Sequence, residues 1–293
     1  MNKKHLFHLP HATKMLKEIL DGVLVLLGLF VCGPPAYAGV DVVHTYALSR
    51  AHEVDNLIAV DASKLAGLLP DGYVMVPASA LGVGSDNQGI VVIVNFEGLD
   101  PVTDDSSSNA NRRIAIDVAI LVAEPVEAAK ADVAFPGAFH LYTLAMYSDE
   151  EPYVASLKTN MPIRSDPGLI YQRTIDDVSG TGDLTANVSV EPSLATFSTS
   201  FGYGPSTSPL HAIFWHDSAD GKAALHFNVP VFRQSNAISR VFTQPGSALA
   251  ALLEGGGTGS CPPDPNTGFN CVTAPSVSFS FDQGDTGWLL RIR

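Results

Sequence analysis

Residues 183–191 read Asp-Leu-Thr-Ala-Asn-Val-Ser-Val-Glu, with Leu184, Ala186, Val188 and Val190 at every second place. A period of two puts alternate side chains on opposite faces of a strand, so one face of this segment is buried and the other is wet. The same grammar extends in both directions. Short runs rich in Val, Ile, Phe and Tyr, cut by Gly, Pro, Asp and Ser, predict strands at 40–48, 54–60, 73–81, 89–97, 113–123, 139–147 and 168–175. Further strands are predicted at 183–191, 194–201, 210–216, 224–234 and 276–281. Helical signals are few. Asp61 is an N-cap for Ala62 to Leu69, which stops at Pro70. Asp149 to Leu157 has an acidic start with Pro152 in its first turn. Ser247 caps 248–253 before a Glu254-Gly-Gly-Gly break. Residues 104–111 (DDSSSNAN) predict a polar hairpin or loop tip, and 254–275 a Gly/Pro-rich loop. No repeat or linker divides the strand-rich part. The expected fold is mainly β: a single curved or closed β-barrel with a few short helices.

The N-terminus reads differently. Lys3, Lys4, Lys14 and Lys17 precede a ten-residue apolar run, Val23 to Cys32, then Pro34-Pro35 and Ala36-Tyr37-Ala38. That order is a secretory signal over residues 1–38. The run is too short for a membrane span of about 20 residues. An uncleaved anchor is the rival reading; a lipoprotein at Cys32 is disfavoured by bulky Val31 before it. The domain then covers 39–293, and the expected location is periplasmic or extracellular, with no membrane insertion once the signal is gone.

The chain carries 17 basic and 30 acidic residues; four Lys and two acids fall in the first 38, leaving 13 against 28, a formal charge of −15. Such a surface repels phosphate backbones and anionic lipid, so nucleic acid is not an expected partner. Beyond residue 38 the cysteines are Cys261 and Cys271, flanking a Pro/Gly/Asn loop. In an exported chain they are expected to form a disulfide; a metal pair is the alternative, but no His lies near and the spacing is not that of a zinc knuckle. No metal, cofactor or phosphate loop is expected, and no Ser sits in a G-x-S-x-G frame.

Six histidines follow residue 38: His44, His52, His140, His211, His216 and His226. Most read as core or edge residues; His211 and His216, five apart on one strand, point to opposite faces. Lysines are scarce: Lys64, Lys130, Lys158 and Lys222. Lys158 follows the apolar stretch Tyr153 to Leu157. It is either an ordinary surface lysine at a helix end or an amine whose charged form is disfavoured by apolar surroundings and so can attack a carbonyl.

Four segments together resemble the acetoacetate decarboxylase-like superfamily: Asn56 to Val60 with Ala62 to Pro70, Ile114 to Val118, Tyr142 to Pro152, and Pro245 to Leu252. The resemblance implies a barrel around a cavity, with a Pro followed by two Lys, the first forming a Schiff base with a ketone. Here Pro162 is followed by Ile163 and Arg164. The family's acid falls near Asp117 and its substrate-binding Arg near His52. The residues expected to do chemistry are therefore Lys158 and Asp117, and those expected to hold a ligand are Arg164, His52 and Glu97. The implied function is binding, and in an open alternative transformation, of a small keto or carboxylic ligand without acetoacetate decarboxylation. A non-catalytic β-sandwich for adhesion is the rival reading, and self-association into a homo-oligomer stays open. N-terminal sequencing of the exported protein is expected to begin at Gly39; a chain retaining Lys3 would contradict the signal reading.

Overall fold

A computed structural model describes residues 40–104, 106–107, 111–130, 137–190, 194–205, 209–281 and 286–292. The expected signal segment lies outside the described residues. Among the described residues, seventeen strands form one mixed sheet. They are β1 (Val40–Ala47), β2 (Arg50–Asp61), β3 (Gln88–Leu99), β4 (Val102–Thr103), β5 (Ser106–Ser107), β6 (Arg112–Val122), β7 (Phe139–Ser148), β8 (Ile163–Ser165) and β9 (Ile170–Arg173). The series continues with β10 (Thr181–Val188), β11 (Leu194–Tyr203), β12 (Leu210–Ser218), β13 (Gly221–Val229), β14 (Phe232–Thr243), β15 (Gly259–Cys261), β16 (Asn270–Phe281) and β17 (Thr286–Ile292). Short helices accompany them: α1 (Ala62–Ala66), α2 (Val126–Lys130), α3 (Glu151–Leu157) and α4 (Ala248–Leu253).

Across the sheet the ladders run β9-β10-β11-β14-β16-β2-β3-β6-β7-β12-β13-β17-β1-β4-β5, with β8 beside the end of β7 and β15 beside the start of β16. The pairs β7–β12 and β7–β8 are parallel; the rest are antiparallel. The sheet curls without closing its hydrogen-bonded ring, so the expected β-rich, barrel-like architecture is present as a curved sheet. The described strands form one sheet, not the two packed sheets that a sandwich requires.

The middle of the sheet is buried on both faces. On β2 the odd positions Glu53, Asp55 and Leu57 turn to the concave side, while Val54 and Ile58 enter the core on the other side. On β3 Val92 and Val94 face inward and Val91 and Ile93 outward; on β6 Ala115 and Ala119 face inward and Ile114, Ile116 and Ile120 outward. Each fully buried Ile or Val contributes roughly 1.5–3 kcal/mol. Strands buried on both faces read as continuous apolar runs, which is why 89–97 and 113–123 show no alternation. The outer core also holds amides: Asn56 Nδ2 donates to the Ile93 carbonyl (2.9 Å), and Asn95 Nδ2 to that of Val54 (3.1 Å). Thr196 Oγ1 donates to Asn95 Oδ1 (2.9 Å) and Ser276 Oγ to Asn56 Oδ1 (3.2 Å). These bonds tie β2 and β3 to β11 and β16 without leaving those amides unpaired.

Several boundaries differ from the sequence reading. Residues 73–81 are not a strand: Met75 makes one bridge to Val122, and Ala78–Leu81 is a 3₁₀ turn after Pro77, which has no N–H for a ladder. Residues 224–234 are two strands, broken at Pro230. The first predicted helix stops at Ala66, with Gly67 as C-cap. Within 254–275 the loop contains β15 and the start of β16, and Cys261 and Cys271 are paired across that ladder and disulfide-bonded. In the 104–111 tip, β5 pairs with β4; residues 105 and 108–110 lie outside the described residues.

Candidate functional site

The concave side of the sheet encloses a cavity of about 300 Å³. Its walls are apolar: Leu57 of β2, Val92 and Val94 of β3, Leu121 of β6, Leu141 of β7, and six phenylalanines, Phe139, Phe214, Phe227, Phe232, Phe279 and Phe281. Two carboxylic acids, Glu53 and Asp55, line it as well. A narrow recess shares Glu53, Val94, Phe214 and Phe227 with this cavity and is further lined by Arg113, Ala115, Asp117 and Tyr153.

Register explains why the acids meet. Asp55 pairs with Val94, Val94 with Asp117, Asp117 with Met146, and Met146 with Ile163. The five residues form one row across β2, β3, β6, β7 and β8. Neighbouring strands lie about 4.8 Å apart, so Asp55 and Asp117 flank Val94 at roughly 10 Å between Cα atoms, and concave curvature brings their side chains closer. Asp117 is 3% exposed. Asp55 is half-buried where it borders the cavity. Oδ1 of each has no hydrogen-bond partner. Burial pushes the Asp55 carboxyl up to about 7, against a hydrogen bond from Glu53 that lowers it. Burial and then the nearby Asp55 push Asp117 up to about 8. The charge nearest the recess does not offset them, because Arg113, 2% exposed, is committed elsewhere. Its Nε donates to Glu150 and its Nη2 to Thr103 Oγ1 at 2.7 Å, and its guanidinium lies 3.9 Å from the centre of the Tyr153 ring.

The residues singled out from sequence separate into three places. Asp117 faces the interior, where it lines the recess. His52 and Glu97 come together on the opposite face of the sheet, in a polar cleft of about 100 Å³ that also contains Arg173. There Glu97 pairs with Arg173 (2.9 Å) and Arg112 (3.1 Å). Nδ1 of His52 lies 2.7 Å from the Tyr171 hydroxyl, and Nε2 lies 3.2 Å from Ser278 Oγ. Burial, then Arg173, lowers the His52 imidazole to about 3, so it is neutral. Lys158 is the C-cap of α3 and is exposed, and Arg164 on β8 is exposed; neither lines the cavity or the recess. Lys158 fails to reach the site because α3 turns Tyr153, Val154 and Leu157 inward and ends with Lys158 in solvent. Ile163 is 7% exposed and packs in the inner core, in the row that holds Asp117.

Glu53 and Asp55 escape the sequence reading. Their signal is a pair of acids two apart inside a strand, but Val54, Asn56, Leu57 and Ile58 blur the alternation, and the predicted strand begins only at 54. The Phe lining comes from strands far apart in sequence and has no local signature.

No protein-family model matches the chain, and no curated relative matches it. Among solved structures it is similar to an acetoacetate decarboxylase, at 13% identity over 85% of this chain and 88% of the other, with a TM-score of 0.47. It is similar also to an acetoacetate decarboxylase-like enzyme from Sphingomonas wittichii RW1, at 11% identity over 86% and 94%, TM-score 0.48. A third is the enduracididine biosynthesis enzyme MppR complexed with the condensation product of pyruvate and imidazole 4-carboxaldehyde, at 12% identity over 88% and 90%, TM-score 0.49.

An acid whose folded pKa is raised keeps a proton in the native state that the unfolded chain has already released. Its contribution to stability is therefore fully present below about pH 4 and is lost as pH rises through 8. A tenfold change in proton affinity corresponds to about 1.4 kcal/mol. Asp117→Asn has no such loss. At pH 8 it is expected to melt roughly 5 °C or more above the wild type, with a flatter Tm profile between pH 5 and 8. Parallel profiles and no gain at pH 8 in a calorimetric scan would show that Asp117 is not an uncompensated buried acid.

Proposed function

We propose that this protein is an exported binding protein that holds a small, largely apolar organic molecule non-covalently in its concave cavity, without Schiff-base chemistry. One observation carries the reading. The cavity is large enough for a ligand, walled by six phenylalanines and floored by carboxyls, and the row position at which the resemblance calls for a lysine is filled by Ile163.

A nucleophilic amine must lie within about 3 Å of the carbonyl it attacks. Among the described residues no lysine lines the cavity. Lys64 donates to the carbonyls of Ala251 and Glu254, Lys222 pairs with Asp217, and Lys158 is in solvent. Of the head groups the resemblance implies, a keto oxygen at the recess can accept from a protonated Asp117, whereas a carboxylate meets Glu53 and Asp55 with no described cation on the main cavity wall. A keto ligand is therefore the better fit of the two.

The test is direct binding of 2-octanone to the mature protein, by calorimetry. Binding is expected, and Ala212→Trp, which fills the cavity from β12, should weaken it by about tenfold or more. Borohydride added to the complex should leave the intact mass unchanged. A covalent adduct trapped on Lys158, or failure to bind an eight-carbon chain with any head group, would overturn the reading.

A further inference from the structure

The proposed cavity function leaves one imbalance unexplained. Three carboxyls converge in an apolar interior, and two of their oxygens, Oδ1 of Asp55 and Oδ1 of Asp117, have no partner. Buried carboxyls are ordinarily paired with a cation or fully hydrogen-bonded, because an unpaired one costs several kcal/mol. The elements packed around them do not supply the missing charge. β3 presents Val94, β7 Met146, β8 Ile163, β12 Phe214, β13 Phe227 and β16 Phe279. β14 presents Gln234 and Phe232, α3 presents Tyr153, and Arg113 of β6 is bound to Glu150. No described residue on the main cavity wall is a cation.

We propose, building on the cavity-binding reading, that the natural ligand supplies this charge: its head group is a protonated aliphatic amine, held by Asp55 and Asp117 with Glu53 beside them, while its apolar body lies among the phenylalanines. Row geometry supports this. An ammonium placed over Val94 stands between the two aspartates that flank it. In that row Ile163 leaves the space without an amine of its own. Phenylalanine faces attract organic cations in addition to packing against their alkyl part. An ammonium–carboxylate hydrogen bond is about twice as strong as a neutral one, so an amine gains more from this floor than a ketone does. A carboxylate would add a fourth acid to the three. The chain's overall acidity acts in the same direction, drawing cations toward the protein.

The ligand's charge also fixes the sign of a pH effect. An ammonium arriving beside Asp55 and Asp117 favours their ionised forms, so binding near neutral pH expels protons, and affinity rises from pH 6 to 8 as the acids ionise by themselves. Glu53 and Arg113 are the other ionisable groups lining the cavity and its recess, and Arg113 is held by Glu150 and Thr103.

Three probes with one alkyl length decide the matter: octylamine, 2-octanone and octanoate, titrated calorimetrically into the mature protein at pH 7.5. Octylamine is expected to bind at least about tenfold more tightly than 2-octanone, and octanoate more weakly than either. Net proton release with octylamine should appear as a dependence of the heat on buffer ionisation. Asp55→Asn and Asp117→Asn should each cut the amine-to-ketone affinity ratio by about tenfold, the gain from one charge-assisted bond. Both variants remove an acid from apolar surroundings, and their melting curves confirm folding. If 2-octanone or octanoate binds as tightly as octylamine, the amine proposal is overturned and cavity binding stands. If none of the three binds, the cavity reading falls as well.

Discussion

Desolvation of Asp55 and Asp117 inside a concave, phenylalanine-lined sheet is the constraint around which the site is organised. A carboxyl in such surroundings either finds a cation or keeps its proton. Here the nearby guanidinium, Arg113, is held by Glu150, Thr103 and the Tyr153 ring, and Lys64, Lys158 and Lys222 sit elsewhere. The acids are therefore held partly protonated near neutral pH, at a cost to the native state that the rest of the fold must cover.

The fold covers it by burying the central strands on both faces. β2, β3 and β6 send one set of side chains into the concave core and the other into a second core closed by β10, β11, α4 and part of β16. That outer core includes satisfied amides and hydroxyls, with Asn56 and Asn95 at its centre. Hydrogen bonds of this kind give the strands one defined register. Register is what matters for the site. A slip of one residue on β2 would exchange Asp55 for Val54 or Asn56 on the concave side and dismantle the acid row.

Much of the architecture was legible in the sequence because strands, turns and caps are written locally. Asp61, Pro152 and Ser247 start helices where expected, and the alternation at 184–188 matches β10. Strands escape the sequence reading where local cues mislead. β17 is a short C-terminal run, and on β14 Ser235 and Ser239 lie on the buried face while Ile238 lies with Asn236 and Arg240 on the exposed one, which masks the alternation. The site was harder to read. Asp117 can be placed because its strand is unambiguous. His52 and Glu97 read as ligand contacts, yet the parity of their positions on β2 and β3 turns them to the opposite face, where Arg173 receives Glu97. Which face is concave depends on how the whole sheet curls, and no local pattern encodes that.

Asp55 borders the cavity and Asp117 its recess, each with one carboxyl oxygen that has no partner. Carbon-13 NMR of the aspartate-labelled protein reads their carboxyls directly across a pH titration. Two carboxyl resonances are expected with midpoints of about 7 and about 8, lost one at a time in Asp55→Asn and Asp117→Asn. If every aspartate instead titrates near the ordinary value of about 4, the acids are solvated or paired and the account is wrong.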